Sequence, residues 1–418
     1  MKVVLLGGSS ASTPELFRCL AACSPVPPLQ LCLVGRSREH LNPVMRAAGI
    51  LSAGVPIMLQ AASFERSELD AALCGADLVL IQIRCGGYQG RHIDETFPLQ
   101  YGLCGDEGLG PGGLSAAWRA WPAMHEIIST IASVCPQATV VVLSSPVTLF
   151  VRAARRLHPA LETFGICELP WTTLQDLAGL LDAEATAIDF DYIGVNHLGW
   201  FSRLEYESRD LLEEYAARPD CAAKWPSAEL VSSCRAFPTK YLRLHYDRGK
   251  VLEEQRRLAI SRAQSLARIS LDAYRSFQSG NRSEILAALA HRPAPWYRHA
   301  VVPLLVAHSR RDTPIPLFLT SPNDANETAF PREDVLEIPT YVSAVSLCPK
   351  PCREPPPSQV LQTMNSFVAY ERTATEALIQ QSPERLRDAL EMHPWVGRPE
   401  LAAVLAADIT ARTQVSAN

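Results

Sequence analysis

Two stretches of this 418-residue sequence hold residue types at spacings that could do chemistry. The first is Gly7-Gly8-Ser9-Ser10, followed by Thr13. A glycine turn between a buried strand and a helix lets the backbone approach a pyrophosphate, which the free N–H groups and dipole of the helix start then stabilise. The turn lacks the full G-x-G-x-x-G spacing, and a Gly-Gly turn is also ordinary chain geometry; its place directly after the first strand favours a dinucleotide seat. The acid that usually follows the second strand and holds the adenosine ribose is missing. Leu33-Val34-Gly35-Arg36 stands there, and Arg36 suits a 2′-phosphate, which leaves NADP open beside NAD. The second stretch, residues 83–113, sets Arg84, Arg91, Asp94 and Glu107 among many glycines. It reads as a long loop leaving the carboxyl end of a strand, where α/β proteins bind ligands; a solvated surface loop is the alternative.

The elements that must position these residues follow from the apolar pattern. Short β-branched and leucine runs at 3–6, 29–34, 76–83, 139–143 and 188–195 predict strands, with helices after the first and around 63–73. Strands alternating with helices predict a Rossmann-like, doubly wound parallel sheet, an α/β fold. From residue 209 to about 290 the pattern is mostly helical, and amphipathic helices at 366–380 and 399–413 close the chain, with a short one between that Ser382 caps and Pro383 begins. The second half is thus expected to be a mixed, largely helical catalytic domain, giving a lactate- or malate-dehydrogenase-like architecture. The expected division is a dinucleotide-binding domain over 1–190 and a second domain over 191–418, to which the family resemblance given below assigns the metal and the substrate.

Composition narrows the function classes. At 47% hydrophobic and 20% charged residues, the chain reads as a soluble globular protein. Its net charge is −5 and its basic residues form no run, which argues against nucleic acid as a partner. No apolar segment approaches the ~20 residues of a membrane span and no export signal is apparent, so the expected setting is the cytoplasm. The twelve cysteines have no framework spacing and read as small core residues. Cys348-Pro349-Lys350-Pro351-Cys352 lacks the second pair that a zinc knuckle needs.

Several separated blocks resemble glycoside hydrolase family 4, the NAD- and manganese-dependent glycosidases. The opening, with Gly7, Gly8, Ser10, Thr13, Pro14, Glu15 and Leu16, is similar to the family's G-G-G-S-S-x-T-P-E-L. Ile83-Arg84 with Gly86-Gly87, then Arg91, Asp94-Glu95, Pro98-Leu99 and Tyr101-Gly102, resembles I-R-x-G-G, R-x-x-D-E and P-L-x-Y-G. Gly165-Ile166-Cys167-Glu168-Leu169-Pro170 resembles G-L-C-N-V-P, the form of the 6-phospho-β-glucosidase branch. Gly194-Val195-Asn196-His197-Leu198-Gly199-Trp200 resembles G-L-N-H-L-x-W, Tyr241-Leu242-Arg243 matches Y-L-R, and Val335-Leu336-Glu337-Ile338-Pro339 matches V-x-E-I-P.

The resemblance implies a bound NAD that is reduced and reoxidised within each turnover, and a Mn²⁺ or similar divalent cation on Cys167 and His197. It implies Tyr241 as the base that removes the sugar's C2 proton, with Asp94 and Glu107 as catalytic or positioning acids. Gly7, Gly8, Ser9, Ser10, Thr13, Arg36 and Arg84 fall to the cofactor, and Arg91, Ser145, Glu168, Asn196 and Arg262 to the substrate. The substrate is then a small glycoside, with a 6-phosphate on the sugar in that branch, and a homodimer or homotetramer is expected. Three departures imply altered sugar specificity and leave an unphosphorylated, differently charged or unusually large glycoside open: Ser145 stands where the family has Asn in F-T-N-P, Glu168 brings a charge where the family has a neutral Asn, and a late loop differs. The late G-G-A-Y-Y-S loop appears as Arg292-Pro293-Ala294-Pro295-Trp296-Tyr297, with its glycines exchanged for bulk and cations. The competing readings are a net NAD(P)-dependent dehydrogenase of sugars or hydroxy acids, and a cofactor-binding regulator without turnover.

Overall fold

A computed structural model describes residues 1–23, 26–221, 224–309, 314–323 and 329–416. The strands are β1 (Lys2–Leu6), β2 (Leu29–Val34), β3 (Ile57–Ala62), β4 (Leu78–Ile81), β5 (Thr139–Val142), β6 (Thr163–Ile166), β7 (Asp189–Val195), β8 (Leu198–Tyr206), β9 (Arg209–Asp210), β10 (Phe237–Pro238), β11 (Ile315–Pro322), β12 (Val335–Val342) and β13 (Leu347–Pro349). They form one sheet in the order β10-β8-β7-β12-β11-β6-β5-β4-β1-β2-β3, with β13 beside β12 and β9 beside β8.

The sheet has two characters. From β3 to β6 every neighbouring pair is parallel, and β1, β4, β5 and β6 are buried on both faces apart from the first residue of β1, as continuous apolar strands between helices must be. From β6 onward every pairing is antiparallel. The parallel half is the doubly wound sheet expected from the sequence, and the second half is the mixed region expected beyond it. Strand β3 did not register in the apolar pattern, because it lies at the sheet edge with only Ala62 fully buried. Strand β11 was not expected either: Pro316 and Pro322 interrupt a strand pattern, yet it pairs along its whole length with β12.

Residues 83–113 are not one loop. A helix, Gly87–Thr96, and a 3₁₀ turn, Phe97–Tyr101, occupy the middle of the stretch, and a 25-residue helix starts at Gly110. Glycine and charge masked the helical period. The helix begins after Gly86 at φ +80° and runs close to its neighbours, with Asp94 buried at 1% exposure against Arg119 of the long helix. The closing helices are Ser358–Gln380, Pro383–Met392 and Pro399–Ser416, and Ser382 caps the middle one by accepting from the Arg385 N–H at 3.3 Å. Among the described residues no helix is long and apolar enough to cross a membrane.

Candidate active site

The turn after β1 is held by backbone. Gly7 and Gly8 N–H both donate to the Val34 carbonyl at the end of β2, at 3.0 and 2.8 Å. Gly7 sits at φ +88°, and a Cβ there would stand 2.7 Å from the Gln82 carbonyl, so glycine is required on both counts. Gln82, the first residue after β4, locks the turn with its amide: Nε2 donates to Gly7 O at 3.2 Å and to Thr13 Oγ1 at 3.1 Å, while its Oε1 accepts from the buried Tyr297 hydroxyl at 2.6 Å. Ser9 O accepts from Tyr274 OH at 2.8 Å, and Ser10 Oγ and Ser12 Oγ lie 2.8 Å apart. Beside the local Ser10–Ser12 pair, Gln82 and Tyr274 anchor the turn from far along the chain. The turn's side-chain-free glycine surface and the start of the helix Pro14–Ala21 that follows fit a pyrophosphate.

Two residues past Gln82, the same strand exit reaches a cleft of about 550 Å³. Arg84 bonds to Glu107, Arg91 pairs with Glu107 at 2.5 Å and with Glu95 at 2.7 Å, and Arg91, Glu95 and Glu107 line the cleft. Burial, then the neighbouring Arg91, lowers the Arg84 pKa to about 10, with Arg292 acting in the same direction. The facing wall carries His197, Lys240, Tyr241 and Arg262. Lys240 and Arg262 are in no ion pair among the described residues.

The core of the cleft is a compact acidic and aromatic group. The His197 ring stacks on Tyr241 with centroids 4.5 Å apart and planes at 15°. His197 holds a left-handed backbone, φ +71°, in the tight turn between β7 and β8, an unusual conformation for a side chain of this kind. Burial and Lys240 lower its pKa to about 4, so the imidazole is neutral near pH 7, the form that ligates a metal. Its Nδ1 and the Ser145 hydroxyl are both buried without a hydrogen-bond partner among the described residues. Both crowd Gly108: a Cβ there would lie 2.7 Å from Ser145 Oγ and 2.9 Å from His197 Nδ1. Gly108 is therefore held to glycine by space, and Asp106 Oδ1 fixes the turn by accepting from Gly108 and Leu109 N–H at 2.7 and 2.8 Å.

Cys167 follows β6 and accepts the Leu169 N–H at 3.5 Å at the start of the helix Leu169–Leu180. Burial and the carboxylates of Glu168 and Glu337 raise its thiol pKa well above the usual range. Burial also raises the Glu168 carboxyl, which Lys240 opposes. Tyr241 is pushed up to about 12 by burial and then by Asp106, with Arg262 pulling the other way and Cys167 and Glu168 adding to the rise. A neutral imidazole with an unpartnered ring nitrogen, a thiol amid carboxylates and a phenol that acids oppose share one need, a positive charge among them. The residues present fit a divalent cation. Among the described residues no group of three or more His, Cys, Asp or Glu is arranged to hold a metal ion by itself.

The parallel sheet expected from the sequence included the strand at 188–195, which would place His197 after a strand of the same direction as the others; this needs correction. Strands β6 and β7 are joined through β11 and β12 by three antiparallel pairings and run in opposite directions. The two residues are linked instead through Glu337 on β12, which raises the Cys167 thiol and accepts Asn196 Nδ2 at 3.1 Å and the Tyr192 hydroxyl. Asn196 is thereby turned into the interior, where its amide also meets the Cys167 thiol, and like Cys167 it lies outside the cleft lining. Asp94 likewise does not line the cleft; it grips Arg119, whose Nε donates to Cys85 O at 3.1 Å. Asp106, Lys240, Gln82 and Glu337 were missed as site residues. A polar residue directly after an all-apolar strand, as Gln82 is, was the available signal; for Lys240 only its place beside Tyr241 pointed to the cleft.

Comparison with known proteins gives a consistent picture. The family described as Family 4 glycosyl hydrolase matches residues 2–183, and its C-terminal domain matches residues 192–396. The chain is 26% identical to a probable 6-phospho-beta-glucosidase of Bacillus subtilis, over 95% of this chain and 92% of the relative. It is 26% identical to the 6-phospho-beta-glucosidase BglT of Thermotoga maritima, over 94% of each. The fold is that of a Thermotoga maritima 6-phospho-beta glucosidase solved with manganese, NAD⁺ and glucose-6-phosphate, with a TM-score of 0.88 at 24% identity over 100% of this chain and 99% of that one.

Proposed function

Because the chain belongs to the family 4 glycosyl hydrolases, we propose that it cleaves a glycosidic bond by transient oxidation of the sugar, using NAD and a divalent cation held by Cys167 and His197. The observation that carries this reading is Tyr241 stacked on His197 in the wall of a cleft that the Gln82–Arg84 strand exit connects to the glycine turn. When bound, the dinucleotide supplies reversible oxidation at C3 of the sugar, and the cation supplies a Lewis acid for the oxygens on C2 and C3.

The chain's own residues do the rest. Gly7 and Gly8, whose own N–H groups are tied to Val34, leave the turn free of side chains so that a pyrophosphate can approach beside Ser9 and Ser10, and Gln82 and Thr13 keep that turn rigid. Tyr241 accepts the C2 proton once the neighbouring ketone has made it acidic, and Arg262 favours the phenolate that this requires. Glu107, fixed between Arg84 and Arg91, orients sugar hydroxyls. The scheme needs no pair of catalytic carboxylates. Residues 1–190 carry the dinucleotide seat and residues 191–418 most of the sugar-facing wall, with Arg84, Arg91, Glu107 and Cys167 reaching across from the first part.

The sugar is anionic, with 6-phospho-β-glucosides as the class to test first. Lys240 and Arg262 support this, as cleft cations in no ion pair among the described residues. Lys240 also lies near Glu168 and offsets the charge that Glu168 adds. Nitrophenyl glycosides with and without a 6-phosphate, supplied with Mn²⁺, NAD⁺ and a thiol reductant, test both levels. Release of nitrophenol without accumulating NADH is expected, whereas stoichiometric NADH would establish a dehydrogenase. Preference for the unphosphorylated glycoside would remove the anionic sugar and leave the reaction class standing.

A further inference from the structure

We propose that the dinucleotide seat accepts NADP⁺ at least as tightly as NAD⁺, with Arg36 as the side chain that meets the 2′-phosphate. The inference rests on reading the glycine turn as a dinucleotide seat and adds the identity of the adenosine corner. An NAD-selective seat carries a carboxylate just after the second strand, which bonds the ribose hydroxyls and repels a phosphate. Between residues 33 and 39 the only acid is Glu39, exposed on the helix Arg38–Leu51.

Three observations place Arg36 at that corner. Val34, at the end of β2, accepts from both Gly7 and Gly8 N–H, so the chain leaving β2 starts against the turn itself. Gly35 comes next and lies so close to Ser9 that a Cβ on it would stand 2.8 Å from Ser9 Cβ. Arg36 then emerges exposed, and its charge is felt at Cys85 beyond β4, where it opposes the rise that burial imposes on the thiol. Since β1 lies between β2 and β4, Arg36 stands over the mouth of the turn.

The surroundings favour an anion. Among the described residues no ion pair engages Arg36, whereas the adjacent Arg38 is committed to Glu68 at 2.8 Å. Ser37 caps the fourteen-residue helix Arg38–Leu51, whose positive end therefore faces the same corner. A guanidinium with no partner, set beside a capped helix start, meets a phosphate monoester with charge-assisted hydrogen bonds.

Titrating the full-length protein with NAD⁺ and NADP⁺ separately decides the matter. An NADP⁺ dissociation constant equal to or below that of NAD⁺ is expected, and one more than about tenfold above it overturns the proposal. If neither dinucleotide binds, the reading of the turn itself fails, an outcome distinct from a preference for NAD⁺. Arg36→Asp should weaken NADP⁺ by about tenfold or more and leave NAD⁺ no weaker, while Arg36→Lys keeps part of the NADP⁺ affinity. Equal losses for both dinucleotides in Arg36→Asp would assign Arg36 a general structural role and overturn its contact with the 2′-phosphate.

Discussion

The glycine turn and the cleft are neighbours built on opposite principles. The turn is built from backbone, and its contacts are set by strand ends that lie side by side in a parallel sheet. The cleft works through side chains brought from residues 84–107, 145, 167–168, 197 and 240–262, most of them titratable. A backbone site tolerates changes of side chain but not the loss of a glycine. A side-chain site has the reverse sensitivity, since its chemistry resides in the side chains themselves.

If the two regions are separable in this way, the largest effect falls on the cleft. Cys167→Ser and His197→Ala should each lower turnover by about a thousandfold or more, given several kcal/mol from the Lewis acid, with dinucleotide affinity retained. Aglycone release and a cofactor titration on the same preparations check this, and parallel loss of cofactor binding would break the separation. Tyr241→Phe comes next, at about 10²–10⁴-fold in kcat with KM little changed, as for loss of a general base. A C2-deuterated substrate should exchange its label with water in the native enzyme and keep it in that variant.

Gly7→Ala probes the other side. A Cβ at φ +88° and 2.7 Å from Gln82 O should cost about 1–3 kcal/mol of stability and weaken the dinucleotide, while kcat at saturating cofactor stays near native. Denaturant midpoints and cofactor titration measure it; a collapse of kcat would show that the turn also shapes the cleft. The smallest effect concerns the helix Ser358–Gln380 behind the cleft. There burial, opposed by Arg152, lifts the Glu371 carboxyl from 4.5 to about 8. The folded protein then keeps a proton that the unfolded chain has lost, so the stability from this group is complete below about pH 4.5 and declines as pH rises to about 8. Glu371→Gln should flatten that part of a stability–pH curve and leave cofactor affinity untouched. An unchanged slope would show that the group does not titrate there.

Much of the fold was legible because its signals are local. The apolar runs of β1, β2, β4 and β5, the Ser382-Pro383 helix start and the glycine turn each depend on residues a few positions apart. Strand β3 escaped because an edge strand need not be apolar, and the helix Gly87–Thr96 escaped because glycines that allow close packing erase the helical period. The site residues were legible by type and motif, but not by role. The chain by itself determined that a thiol, an imidazole, a phenol and a glycine turn are present in one order. Only the tertiary structure decided that Asp94 and Asn196 turn into the interior while Asp106 and Lys240 reach the site. Burial and charge at a point in space are sums over groups that lie far apart in sequence, so no local pattern encodes them.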